Sequence, residues 1–238
     1  MNENRSELKT YKDRQAKKRV IIFTGEIASG KSTAALNLAK AIPNSYYFDK
    51  DELVHCTYPV FDVGGVTRDR HSDFFNKWIR QPEYVSTNAI VEKGLLFNDT
   101  VIVNAPYSSE LRATEGEKYD EFVRFGNTIH NLGGELFLVY MSVSPKVMAQ
   151  RIESRSKDDP AARERDAEIL DHIAEYCEAH ASKIPDMSKS PVVDRMFVFD
   201  SDFPPVSFQK LVDVLMPGNN GVEYDQKIVV NLDKQLGR

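Results

Sequence analysis

Apolar residues in this chain occur as short unbroken runs, separated by stretches in which they recur every three or four positions. Val20-Ile21-Ile22-Phe23, Tyr46-Tyr47-Phe48, Val101-Ile102-Val103, Leu136-Phe137-Leu138-Val139-Tyr140 and Met196-Phe197-Val198-Phe199 are the runs, rich in β-branched and aromatic side chains. Such runs suit strands covered on both faces, and they predict strands over 20–24, 45–49, 100–104, 135–142 and 195–199. The helical spacing between them predicts helices over 31–42, 50–57, about 70–80, 82–97, 115–132, 145–155, 162–183 and 205–215. Pro82 divides the third of these patterns from the fourth, because proline lacks the backbone donor a helix interior needs. Strand and helix alternating in this way predict an α/β fold, with a mainly parallel sheet between helical layers and a ligand site beyond the carboxyl ends of the strands.

The same pattern sets the expected organisation. Residues 1–18 are polar and charged and read as a leader, followed by one domain over 19–216. A turn cluster, Pro217-Gly218-Asn219-Asn220-Gly221, sets off 217–238 as a tail or edge strand.

The first apolar run leads straight into Gly25-Glu26-Ile27-Ala28-Ser29-Gly30-Lys31-Ser32, followed by Thr33 and a helix-forming stretch. This is a complete GxxxxGK[ST] phosphate-binding loop in its strand–turn–helix context. Gly25 and Gly30 permit the tight turn that points backbone N–H groups inward at the positive end of the helix. Lys31 would lie on the outer phosphates of a nucleoside triphosphate, and Ser32 would hold Mg²⁺ through its hydroxyl. ATP and Mg²⁺ are therefore the expected ligands, with Gly25 to Thr33 as the binding segment. The second strand ends in Asp49-Lys50-Asp51-Glu52, on the edge where the loop opens. An Asp there can orient and deprotonate an acceptor hydroxyl or hold a metal-bound water, roles read here for Asp51 and Asp49. Asp49 also suits the cap of the helix that follows.

Composition narrows the setting. The chain has 238 residues, 41% of them hydrophobic, and a net charge of −5, enough apolar content for one substantial core and no global attraction to nucleic acid or an anionic membrane. Its start is polar and no apolar run approaches a membrane span, so the expectation is a cytoplasmic protein, monomeric or homodimeric. The two cysteines lack metal or redox spacing, and the five histidines show no ligand pattern.

The loop GEIASGKS, followed by a strand running into FDKDEL, resembles the small-molecule kinase branch of the P-loop phosphotransferases: gluconate kinase, shikimate kinase, chloramphenicol phosphotransferase and zeta-toxin-like kinases. The resemblance implies a three-layer P-loop NTPase fold with a five-stranded sheet of order 2-3-1-4-5, and transfer of the γ-phosphoryl group of ATP to the hydroxyl of a small molecule. It places the acceptor acid at Asp49 or Asp51. It also makes 56–98 an acceptor-side insertion, where Arg68 and Arg70 are substrate-binding candidates beside Arg112 after the third strand. Segment 151–165, carrying Arg151 and Arg155 at i and i+4 and then Arg163 and Arg165, resembles the lid whose arginines neutralise the transferring phosphoryl group. One position departs from the pattern: Asn104 ends the third strand where many relatives place Asp, and an amide brings no charge to the metal shell. An ATPase or nucleotide switch without a small-molecule acceptor, or a kinase of nucleic-acid ends, therefore stands as the alternative.

Overall fold

The computed structural model describes residues 18–70, 72–160, 163, 166–180, 184–187, 190–202, 204–215 and 229–231. Residues 1–17 of the leader, most of the tail, His71 and Arg165 lie outside the described residues, and Lys18 already belongs to the first strand.

Strand β1 (Lys18–Gly25) is flanked by β3 (Thr100–Asn104) and β4 (Gly134–Ser142); β2 (Ser45–Asp49) pairs with β3, and β5 (Arg195–Asp200) with β4. All of these pairs are parallel, which gives the order 2-3-1-4-5 expected from the resemblance. A three-residue strand, β6 (Val229–Asn231), continues the sheet beyond β5, again in parallel, so part of the tail is an edge strand. Each central strand is buried on both faces, and its alternate residues feed two different cores. Val20, Ile22, Val101, Val103, Leu136 and Leu138 pack on one side with helices α4 (Arg80–Phe97) and α6 (Glu117–Asn131). Ile21, Phe23, Ile102, Phe137 and Val139 pack on the other, against α1 (Lys31–Ala41) and α10 (Pro204–Leu215). The continuous apolar runs are the consequence of this two-sided burial.

Three helical boundaries differ from the sequence expectation. The helix after β2 begins as a 3₁₀ turn at Lys50–Leu53 and continues as α2 (Val54–Gly64), passing Pro59 and ending where Gly65 adopts φ 64°. The break in the following pattern falls between α3 (Asp73–Trp78) and α4, at Ile79, and Pro82 lies in the first turn of α4, where its missing N–H has no partner to lose. The pattern over 162–183 yields two short helices among the described residues, α8 (Ala167–Leu170) and α9 (Ile173–His180), after α7 (Pro145–Asp158). A small cluster of Phe61, Phe75 and Ile79 holds α2 and α3 together, with Phe61 and Phe75 stacked at 6.3 Å. No described helix is long and apolar enough to cross a membrane.

Candidate active site

The loop between β1 and α1 has the backbone its sequence requires. Gly25 adopts φ 129°, and a Cβ there would stand 2.5 Å from the carbonyl oxygen of Met141, so the position accepts only glycine. Gly30 at φ 86° and Ala28 at φ 56° complete the turn into α1. Ser29 is fully buried, and Ile27 and Ala28 pack beside the cluster formed by Val143, Met148 and Ile152. Lys31 Nζ curls over the loop, donating to the Glu26 carbonyl at 2.5 Å and to Ser29 Oγ at 3.4 Å. Burial pulls its ammonium down to about 8; Glu26, Asp51 and Asp49 oppose the shift and the Arg155 guanidinium adds to it. This is the electrostatics of a cationic nest that a bound polyanion would relieve.

The end of β2 meets the loop through Asn104. Registration of β2 on β3 sets Asp49 beside Asn104, and the Asn104 amide donates to Asp49 Oδ2 and to Ser32 Oγ, both at 2.8 Å. Asp49 also accepts from Tyr47 Oη at 3.1 Å and, through Oδ1, from the Asp51 backbone N–H at 2.9 Å. It is thus both the cap of the 3₁₀ turn and a carboxylate within one amide's reach of Ser32. The other end of the same amide, Asn104 Oδ1, is buried and has no hydrogen-bond partner among the described residues. A serine hydroxyl, a carboxylate and an orphaned amide oxygen gathered on one edge are hard oxygen donors suited to Mg²⁺. The charge that Asn104 lacks is present on the neighbouring strand.

Asp51 projects outward, with its side chain 68% exposed, and its Oδ1 accepts from Arg70 at 3.0 Å. Arg70 also donates to Glu83 at 2.8 Å, and Lys50 meets the same Glu83 oxygen at 2.7 Å, while Thr57 donates to its other oxygen. Glu83 is sealed from solvent, so two cations share one buried carboxylate and a chain of charge runs from the core to Asp51. Burial, followed by the neighbouring Arg70, lowers the Lys50 pKa, and Glu83 opposes that shift. Nothing local in the sequence marks Lys50 and Glu83: they are 33 positions apart, and Glu83 after Pro82 reads as an ordinary first-turn acid.

The remaining candidates separate into two groups. Arg151 bridges the loop and the end of β5, donating to the Ala28 carbonyl at 3.2 Å and to the Ser201 carbonyl at 2.5 Å. Arg155, close enough to act on Lys31, is paired with the fully buried Asp166 at 2.5 Å. Arg112 reaches the loop itself and pairs with the Glu26 carboxylate. Arg68 is instead held by Asp62 at 2.7 Å on the exposed rim of α2, stacked over Tyr58. Residues 20–180 match the family model described as an AAA domain, about two thirds of the chain.

The chain belongs to this AAA-domain family. A solved structure of a candidate kinase from Chloroflexus aurantiacus J-10-fl is similar in fold, with a TM-score of 0.55 at 18% identity, covering 83% of this chain and 96% of that one. A gluconokinase from Sinorhizobium meliloti 1021 aligns at TM-score 0.43 and 15% identity, covering 85% and 97%. The APS kinase CysC of Mycobacterium tuberculosis aligns at 0.46 and 17%, covering 84% and 98%. No curated protein matches the chain. The recognised fold is that of P-loop kinases, with its three layers and sheet order; the chemistry rests on the residues gathered at the loop.

Proposed function

We propose that this AAA-domain protein is an ATP-dependent phosphotransferase that moves the γ-phosphoryl group to a hydroxyl of a small molecule. The observation that carries the reading is the Asn104 bridge, which joins Ser32 of the phosphate loop to Asp49 at the end of β2, two residues from the exposed carboxylate of Asp51. A site for the triphosphate and a group able to receive a hydroxyl proton thereby share one sheet edge.

In this reading the backbone N–H groups of residues 25–32 and Lys31 hold the triphosphate, with Lys31 donating to the outer phosphates once they displace its contact to the Glu26 carbonyl. Ser32 and Asp49 would hold Mg²⁺, which when bound supplies neutralisation of the phosphate charge. Asp51 orients the acceptor O–H and accepts its proton as the oxygen bonds to the γ-phosphorus and the bond to ADP breaks. Arg70 fixes the Asp51 carboxylate. Arg151 braces the loop against the end of β5, and Arg155 stands near Lys31 to balance charge on the moving phosphoryl group.

Asp51→Asn tests the assignment. It should leave MgATP affinity within about twofold, since Asp51 does not touch the phosphate loop, and lower acceptor phosphorylation by about 10²–10⁴. Binding by titration calorimetry and turnover on a hydroxyl compound that the wild-type protein phosphorylates read the two effects separately. Unchanged turnover would remove Asp51 from the mechanism.

A further inference from the structure

The start of the phosphate loop faces a shallow cleft lined by Thr24, Glu26, Ser108, Leu111, Arg112 and Tyr140. Arg112 is half-exposed and, among the described residues, pairs with Glu26, whose side chain is largely covered. Tyr140 is 2% exposed, yet its hydroxyl has no hydrogen-bond partner among the described residues, and the residue lines the cleft together with Glu26 and Arg112. An unpaired buried hydroxyl is costly, because the water it gave up has not been replaced. Burial, with Glu26 adding to it, raises the Tyr140 pKa, so the phenol remains a proton donor at neutral pH. Glu26 occupies a position of the loop motif whose backbone, not its side chain, serves the phosphates, so its carboxylate is free to fill this cleft.

We propose that the Glu26 carboxylate is a stand-in for an anionic acceptor, and that the cleft of Arg112, Tyr140 and Ser108 binds a carboxylate group of the molecule to be phosphorylated. The proposal rests on the phosphotransferase reading and narrows it to hydroxy acids. An incoming carboxylate displaces Glu26 from Arg112, accepts from the guanidinium and satisfies the Tyr140 hydroxyl. Because the displaced residue belongs to the loop, anchoring here sets the acceptor beside the phosphates.

The test uses the full chain with MgADP and titrates it with acetate, D-glycerate and D-gluconate, and with glycerol and D-glucitol as neutral controls. Glu26→Gln removes the competing charge and should strengthen binding of at least one carboxylate by about tenfold. Arg112→Met, alone or with Glu26→Gln, should abolish it, Tyr140→Phe should weaken it severalfold, and the polyols should respond to none of these changes. Retained MgADP affinity checks the loop in each variant. If Glu26→Gln disturbs the loop, Arg112→Met and Tyr140→Phe in the otherwise unchanged chain decide. The proposal is overturned if no carboxylate binds, or if binding ignores Arg112. Phosphoryl transfer is read in the same samples with MgATP. Carboxylate binding without transfer would leave the cleft standing and sink the phosphotransferase reading. Transfer to neutral acceptors indifferent to Arg112→Met would do the reverse.

Discussion

Lys31 concentrates the electrostatics of the site in one titration. Its ammonium, at about 8 instead of 10.5, loses its proton earlier in the folded protein than in the unfolded chain. The unfolded state then binds more protons between those two values, so this group makes stability rise with pH across that window and contributes a constant penalty below it. A triphosphate favours the charged form, so binding above about pH 8 must take up a proton. MgATP affinity should therefore fall by up to about tenfold per pH unit above pH 8, and calorimetry in buffers of different ionisation enthalpy should register proton uptake there. Asn104 makes a second residue-scale prediction. Asn104→Asp would set a carboxylate against Asp49 and exchange two N–H donors for repulsion, so it should destabilise the metal-free protein. Added Mg²⁺ should recover part of the loss in a thermal melt, whereas wild type should show a smaller shift. The phosphate loop and the Asp49/Asp51 pair were legible in the sequence because each depends on neighbours along the chain. The role of Asn104 was not, since its partners lie 72 and 55 positions away and only strand register brings them together.

At the scale of elements, the 3₁₀ turn, α2 and α4 are joined through buried charge. Lys50, Arg70 and Thr57 converge on Glu83, which is sealed from solvent. Glu83→Ala leaves the buried Lys50 without its counter-charge and should cost roughly 3–5 kcal/mol in denaturant unfolding. Its effect on Asp51 runs through Arg70, so Arg70→Met should lower acceptor turnover while costing less stability, because Arg70 retains solvent access. Measuring unfolding and turnover on the same two variants separates these contributions. Helix existence was readable here from apolar spacing, but helix ends were not. α2 runs through Pro59, and the next break falls at Ile79 in place of Pro82, because the packing of Phe61, Phe75 and Ile79 sets those limits and a proline is tolerated in a first helical turn.

For the whole molecule, the parallel sheet explains why residues distant in sequence serve one edge. β1, β2 and β3 run to the same rim, with Phe23, Asp49 and Asn104 in lateral register and Gly25 two residues beyond Phe23 at the start of the loop. Arg151 ties that rim to β5 through Ala28 and Ser201, so Arg151→Ala should loosen nucleotide binding without abolishing the fold. Short apolar runs alternating with helical spacings were sufficient to read this architecture from sequence, since the brevity of the runs and their β-branched and aromatic content mark them as strands buried on both faces. The short β6 was only one of two readings of the tail, because three edge residues carry too little pattern to decide. Phosphoryl transfer to a hydroxyl is read by following the label of γ-labelled ATP through a pool of small hydroxy compounds. Label should appear in an organic phosphate ester with the wild-type protein and in none with Lys31→Ala; label found only as inorganic phosphate, or an ester formed equally well by Lys31→Ala, would contradict it.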